Sequence, residues 1–159
     1  MRWVVNASPV ILLAKIQQAD LLLRLPETTV IPNSAATEIL AAQPDDPGRC
    51  WLENLPDGIV RPDKQLPVEI ASWDLGAGES AVLAWAAEDR SLEAVLDDRA
   101  ARRCAEVMRI ACTGSLGVIL GAKKRGAIHQ ARPLISALKG AGAHISDSLI
   151  NEALQLVGE

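Results

Sequence analysis

Short apolar runs rich in β-branched residues alternate along this chain with longer segments of helical periodicity. Each run is long enough for one buried strand, and each intervening segment can carry the chain back across a sheet as a helix. Parallel strands require such crossovers. The alternation therefore predicts an α/β fold, with a mostly parallel central sheet covered by helices. The predicted strands lie at 2–5, 28–31, 58–61, 94–96 and 110–112.

The length of 159 residues suits one domain, and no linker or repeat divides the chain, so residues 1–159 are expected to form a single domain. Ser8 followed by Pro9 predicts an N-cap and a first helical residue, with a helix ending near residue 18. Asn33 or Ser34 is expected to cap the next helix. Further helices are predicted over 80–87, 100–109, 116–125, 132–138 and 146–157.

The composition argues against several classes of protein. Four Trp with no Phe or Tyr leave an aliphatic core, and they argue against a binder that stacks bases on rows of aromatic rings. Two His and three Cys argue against a zinc site of the usual Cys/His kind. Any metal chemistry in this protein therefore depends on carboxylates.

The cysteines and the N-terminal segment indicate the cellular compartment in which the protein is expected to reside. Cys50, Cys104 and Cys112 are odd in number and form no Cys-x-x-Cys pair, which indicates reduced thiols. The apolar stretch at 3–14 is interrupted by polar residues and proline, and no convincing cleavage site follows it, so we expect no signal peptide. No apolar run is long enough to cross a bilayer. We expect a cytoplasmic protein with no membrane partner.

The basic residues are concentrated in one segment. The formal net charge is −4, yet residues 99–139 contain nine Lys or Arg and a single acidic residue, Glu106. Solvated helix faces explain scattered charges, but an excess this large favours a surface that faces phosphate or an acidic partner. The candidate basic groups are Arg99, Arg102 and Arg103, or the run Lys123, Lys124 and Arg125.

Amide and carboxylate side chains fall where parallel sheets place their active sites, beyond the carboxyl ends of the strands. Asn6 ends the first strand, Asp97 and Asp98 end the strand at 94–96, and Glu38 and Glu79 lie in otherwise apolar helices. Each alone has an ordinary role as a turn residue, a cap or a partner of the helix dipole. Together, carboxylates repel one another unless a cation neutralises them. The set predicts a hard divalent-metal site, which can promote hydrolysis of a phosphodiester.

A series of motifs resembles PIN-domain proteins. Val4-Val5-Asn6-Ala7-Ser8-Pro9-Val10-Ile11 resembles the opening strand and turn, where Asp-Thr-Ser-x-x-Ile is usual, and Glu38-Ile39 resembles the acidic helix. Later motifs resemble a VapC-like, toxin-associated branch of largely uncharacterised nucleases. These are Gly76-Ala77-Gly78-Glu79-Ser80, Leu96-Asp97-Asp98-Arg99-Ala100-Ala101-Arg102, Thr113-Gly114-Ser115-Leu116-Gly117, Ala122-Lys123-Lys124-Arg125-Gly126, Ile145-Ser146-Asp147 and Gly158-Glu159.

The resemblance implies a three-layer α/β/α sandwich and an endoribonuclease that depends on Mg²⁺ or Mn²⁺. It implies the toxin component of a type II toxin–antitoxin pair, with a small antitoxin protein as partner and a homodimer as the assembly. Glu38, Glu79, Asp97 and Asp98 match the catalytic acidic cluster, and all of these except Glu38 would contact the metal together with Asn6. The strand boundary favours Asp97 over Asp98 as the ligand.

Two hydroxyl groups complete the site implied by the resemblance. Ser8 matches a side chain that helps to hold the metal or its water, and Thr113 falls where some PIN proteins place a polar group. Asn6 departs from the family pattern, which has Asp here as a direct metal ligand. Because its carbonyl oxygen is neutral, the site loses one charge and should bind metal more weakly.

Other functions remain open at the level of sequence. The first is a catalytically weak or silent PIN-like module that binds RNA or a protein partner, which Asn6 and the basic segment favour. A phospho-acceptor role for Asp97 and Asp98 would require a Lys after a later strand, and no clear candidate is present. A nucleophilic triad with His129 or His144 is disfavoured because the chain has no Gly-x-Ser-x-Gly elbow.

Overall fold

The computed structural model describes residues 1–159, and five parallel strands form its central sheet. Their order across the sheet is β3-β2-β1-β4-β5, and every pairing is parallel. The strands are β1 (Arg2–Val5), β2 (Thr28–Pro32), β3 (Val60–Arg61), β4 (Leu92–Val95) and β5 (Cys112–Thr113). The predicted α/β sandwich with a parallel central sheet is confirmed.

Ten helices connect the strands and cover the sheet. None of them is both long and apolar enough to cross a membrane. They are α1 (Ala7–Lys15), α2 (Leu21–Arg24), α3 (Asn33–Leu40), α4 (Pro47–Glu53), α5 (Val68–Ala71), α6 (Ala77–Glu88), α7 (Arg99–Val107), α8 (Ser115–Lys124), α9 (Arg132–Gly140) and α10 (Asp147–Leu156).

Both faces of the sheet are buried at its inner strands β1, β2 and β4, which explains why these strands are mostly apolar. In β1, Trp3 and Val5 pack in one core with side chains from α1, α8, α9 and α10, while Val4 packs in the other core with α6 and α7. Trp3 is the one aromatic side chain that is fully buried, so the core is aliphatic as predicted.

Helix α1 begins earlier than the sequence predicts. Asn6, not Ser8, occupies the N-cap, with an extended backbone at φ −84° and ψ 170°. Ser8 and Pro9 lie inside the first turn, where the missing N–H of proline has no intrahelical partner to lose. The Asn6 side chain makes no capping hydrogen bond, so it is free to contact residues elsewhere.

Several other elements differ from the prediction. Pro32, not Asn33 or Ser34, occupies the N-cap of α3, and β4 begins two residues before the strand predicted at 94–96. The strand expected at 110–112 is displaced to Cys112–Thr113, because Arg109 adopts a left-handed backbone conformation (φ 55°) and delays the chain's entry into the sheet. Helix α4 and the single turn α5 have no counterpart among the predicted helices. The polar ends of β1 and β4 lie side by side, since Val5 of β1 pairs with Val95 of β4.

Candidate active site

Asn6 lies at the centre of a polar cluster at the carboxyl edge of the sheet. Its backbone N–H donates to the Val95 carbonyl at 3.1 Å, and its side-chain Nδ2 donates to Glu79 Oε1 at 3.1 Å. The residue is 1% exposed, yet its Oδ1 has no hydrogen-bond partner. An unpaired buried acceptor costs about 1–3 kcal/mol, so this oxygen is expected to face a ligand.

A second acceptor, a carboxylate oxygen of Glu38, lies beside Asn6 at Gly78. The Gly78 N–H, in the first turn of α6, donates to Glu38 Oε1 of α3 at 3.2 Å. A Cβ atom at Gly78 would lie 2.6 Å from Asn6 Oδ1 and 2.7 Å from Glu38 Oε1. The two oxygens can approach the helix this closely because the residue has no side chain.

The carboxylates of this cluster influence each other. Partial burial raises the pKa of Glu38, and the nearby negative charge of Glu79 raises it further, while the Gly78 N–H acts in the opposite direction. The Glu79 side chain is half-buried, and Glu38 is exposed on its outer side. The cluster therefore has an excess of negative charge at an opening to solvent, an environment that favours a cation.

Asp97 is held by the start of α8. Its Oδ1 accepts the Ser115 N–H at 2.8 Å, and its Oδ2 accepts the Ser115 hydroxyl at 2.6 Å. Ser115 is 1% exposed and is the first residue of the helix, where the dipole stabilises a negative charge. Sequence reasoning assigned no role to Ser115. The sequence signal that could have identified this contact is a hydroxyl residue immediately before the helix predicted at 116–125.

The adjacent carboxylate has a different neighbourhood. Asp98 is exposed and occupies the N-cap of α7, and its Oδ2 accepts the Ala101 N–H at 2.9 Å. The adjacent residues Asp97 and Asp98 thus contact two different helices, α8 and α7 respectively. No three His, Cys, Asp or Glu side chains converge closely enough to form a preassembled metal site.

One arginine of α7, Arg102, lies beside Asp97. Arg102 Nη1 donates to the Leu96 carbonyl at 3.1 Å, at the end of β4. A Cβ at Gly114 would lie 2.8 Å from this nitrogen and 2.9 Å from Asp97 Oδ1, so both groups border the same small space. Arg99 and Arg103 are exposed on neighbouring turns of the helix.

The two supporting hydroxyl groups form no hydrogen bond with the carboxylates. Ser8 is exposed in the first turn of α1 and forms no hydrogen bond with an acidic side chain. The Thr113 hydroxyl lies against Gly117 of α8, where a Cβ atom would overlap it. The structure therefore brings Asn6, Glu38 and Glu79 together and leaves both hydroxyls outside their hydrogen-bond network.

The Lys123-Lys124-Arg125 run lies at the opposite edge of the sheet. Arg125 Nη1 donates to the carbonyl of Leu25, which precedes β2, and its Nη2 lies 3.6 Å from Sδ of Met1, which precedes β1. The run ends α8, a helix of ten residues whose first residue binds Asp97. At 1.5 Å per residue, it is about 15 Å from Ser115, the residue that contacts Asp97.

A comparison with protein families decides between the α/β classes that share this topology. A family model described as a PIN domain matches residues 2–159. The chain belongs to the PIN-domain family. No curated protein and no solved structure matches it. PIN domains are nuclease-like proteins that generally use divalent metals.

The oxygen groups of this PIN domain fit a hard divalent cation. Asn6 Oδ1 is a buried carbonyl oxygen without a partner, and the carboxylates of Glu38 and Glu79 flank it. Mg²⁺ prefers oxygen ligands and usually keeps several waters, so one amide and two carboxylates at an open edge are suitable. The unpaired oxygen is the observation on which this fit rests.

Proposed function

We propose that this PIN domain is an endoribonuclease that depends on Mg²⁺ or Mn²⁺. The observation that carries the proposal is the unpaired Oδ1 of Asn6, buried beside Glu38 and Glu79 at the carboxyl edge of the sheet. A buried acceptor next to two carboxylates is unfavourable by itself and is stabilised by a cation. The arginines of α7 border this edge, which favours a polyanionic substrate.

In this proposal, Asn6, Glu38, Glu79 and Asp97 would hold the ion, and the carboxylates would converge only when it binds. When bound, it supplies an activated water and neutralises charge that develops on the phosphodiester. Glu79 accepts the Asn6 amide hydrogen and so turns Oδ1 towards Gly78. Ser115 fixes the Asp97 carboxylate. We propose Asp97 as a ligand in preference to Asp98, because the Asp98 carboxylate caps α7.

The chain's basic groups bind and orient the RNA. Arg102 reaches the end of β4 beside Asp97, so it is placed to contact a phosphate oxygen next to the site of cleavage. Arg99 and Arg103 are exposed on the same helix and would contact flanking phosphates.

Removal of the acidic groups tests the catalytic assignment. We expect Glu79→Gln and Asp97→Asn each to reduce cleavage of labelled RNA in Mg²⁺ or Mn²⁺ by about a hundredfold or more, because each removes a negative charge next to the ion. The control is Glu106→Gln, an exposed glutamate of α7. Cleavage that survives both substitutions, or that persists in excess chelator, would contradict the proposal.

A second candidate function is a catalytically weak or silent PIN module that binds RNA or a protein. The observation that favours it is the neutral Asn6 at the centre of the cluster. Asn6→Asp replaces the amide that donates to Glu79 with a carboxylate. We therefore expect lower stability without metal and higher affinity for Mn²⁺, measured by thermal unfolding and calorimetry.

Asn151→Asp on the exposed face of α10 is the matched control for that substitution. Cleavage by the wild type would support the endoribonuclease proposal. Cleavage gained only with Asn6→Asp would support a metal site that Asn6 has weakened. RNA binding without cleavage in either form supports the binding module.

We also propose that the protein is the toxin of a type II toxin–antitoxin pair, with a small antitoxin as partner and a homodimer as the assembly. The support is the series of VapC-like motifs that runs along the chain. Expression should arrest growth, Glu79→Gln should abolish the arrest, and co-expression of a small protein encoded beside the gene should relieve it. Light scattering should give twice the chain mass of 16.9 kDa.

A further inference from the structure

A polar pocket lies at the amino edge of the sheet, on the side away from the acidic cluster. Its volume is about 400 Å³, and it separates the end of α8 from the start of α9. All but one of the residues in its walls are polar or charged, the exception being a proline. Its lining residues are Lys123, His129, Gln130, Arg132, Pro133 and Glu159.

The groups around this pocket stabilise an anion. The Glu159 side chain accepts the Ala131 N–H at 2.7 Å and the Arg132 N–H at 2.9 Å, and it pairs with Lys123 Nζ at 3.1 Å. These contacts, led by the two backbone N–H groups, lower the pKa of Glu159 to about 2. One carboxylate therefore already occupies a position suited to negative charge.

The cations around the pocket outnumber this carboxylate. Lys124 and Arg125 follow the lining residue Lys123 and are exposed, as is Arg132, and none of the three forms an ion pair with an acidic side chain. Arg132 Nη2 donates to the main-chain oxygen of Glu159 at 2.6 Å, and Arg125 Nη1 donates to the Leu25 carbonyl. Together with Lys123 they form what we call the distal basic surface. It lies about 15 Å along α8 from Ser115, so it cannot contact the phosphate that lies at the acidic cluster.

We propose that the distal basic surface is a second RNA-binding site, which anchors the phosphate backbone of the substrate strand away from the site of cleavage. The proposal rests on RNA being the substrate. Phosphate contacts need only cations, and these are what the surface supplies. A protein partner would require apolar or aromatic anchors, which the pocket does not contain.

Glu159 acts against this binding, because its carboxylate neutralises Lys123 and repels phosphate. Glu159→Gln keeps the shape of the side chain and removes the charge. It should therefore strengthen RNA binding, whereas damage to the local structure would weaken it. The direction of this effect separates an electrostatic role from a structural one.

The test measures anisotropy of a labelled single-stranded RNA in excess chelator, which prevents cleavage, over a range of salt concentrations. The double variant Lys124→Gln/Arg125→Gln should weaken binding about threefold or more, and it should lower the slope of log K against log salt by about 0.7 for each lost contact. Glu159→Gln should strengthen binding. Lys64→Gln is the control, because Lys64 pairs with Glu88 and packs over Trp85 in the opposite helical layer.

A cleavage assay distinguishes this site from the active site. The double variant should raise KM for a long RNA and leave KM and kcat for a tetranucleotide unchanged, since a short strand cannot span both edges. Wild-type affinity and salt slope in the double variant would overturn the second site and leave metal-dependent cleavage intact. Unchanged RNA binding with weakened binding of polyglutamate would also overturn it, in favour of an acidic protein partner.

Discussion

At the scale of single residues, Gly78 is the position where one added carbon should disturb the site most. A Cβ there would lie 2.6 Å from Asn6 Oδ1, which is buried and anchored through Glu79. The Glu38 side chain is the more mobile partner, and it should move away. We expect Gly78→Ala to lower affinity for Mn²⁺ about tenfold or more, as measured by calorimetry.

Gly121 provides the matched control within another helix. It lies in α8, and a Cβ there would have no atom within 4 Å. Gly121→Ala should raise the free energy of unfolding by about 0.5–1 kcal/mol, because alanine loses less backbone entropy than glycine, and it should leave metal affinity unchanged. If Gly78→Ala bound Mn²⁺ as tightly as the wild type, the convergence of oxygens at Gly78 would have no part in binding.

Single residues also show how far the site can be predicted from the sequence. Asn6 and Asp97 were identifiable because polar groups at the ends of buried strands are conspicuous. The hydrogen bond from Ser115 to Asp97 cannot be predicted from the sequence, because it depends on the angle at which α8 leaves β5. The unpaired state of Asn6 Oδ1 is equally invisible in sequence, since it follows from which amide atom faces Glu79.

At the scale of elements, the start of α7 separates the roles of two adjacent acids. Asp98 caps the helix, and asparagine is also a good N-cap, whereas alanine is not. We expect Asp98→Ala to lower the free energy of unfolding by about 1 kcal/mol and Asp98→Asn to change it little, measured by chemical denaturation. Both should retain metal binding, unlike Asp97→Asn. Loss of metal affinity in Asp98→Asn with full stability would instead place Asp98 among the ligands.

Elements were predicted well where one strong signal dominated and less well where signals conflicted. Buried β-branched runs located β1 and β2, and the Ala-rich segment located α6. The start of α1 was misplaced because Ser8 and Pro9 resemble a cap and a first turn, although Asn6 adopts the capping conformation. The placement of Lys123 away from the acids follows from helix direction, because a helix that starts at the carboxyl edge ends at the amino edge.

At the scale of the whole molecule, Glu159 links the end of the chain to α8 and α9 through Lys123, Ala131 and Arg132. Its pKa is lowered from 4.5 to about 2 on folding. A lowered pKa means that this carboxylate stabilises the fold above pH 4.5 and that the contribution disappears as pH falls towards 2.

The wild type should therefore be more stable than Glu159→Gln at neutral pH, and the difference should shrink across this acidic range. Urea denaturation at a series of pH values measures it, with the exposed Glu152→Gln as the control. A difference that stayed constant with pH would show that the side chain acts through packing and not through its charge.

Some features of the whole molecule can be predicted from the amino-acid sequence. Alternating strands and helices predict a parallel sheet, and a parallel sheet necessarily has one carboxyl edge and one amino edge. The concentration of basic residues in 99–139 was also apparent. The division of that segment between the two edges required the structure, because it depends on where α7 and α8 pack.

The hydrogen bonds between Ser115 and Asp97 have a consequence for local unfolding of the protein. The amide of Ser115 donates to this carboxylate, so its hydrogen can exchange with solvent only when the contact breaks. Fraying of the first turn of α8 would release Asp97 while the sheet stays intact. The exchange rate of one backbone amide thus reports how much of the time this carboxylate is held in place.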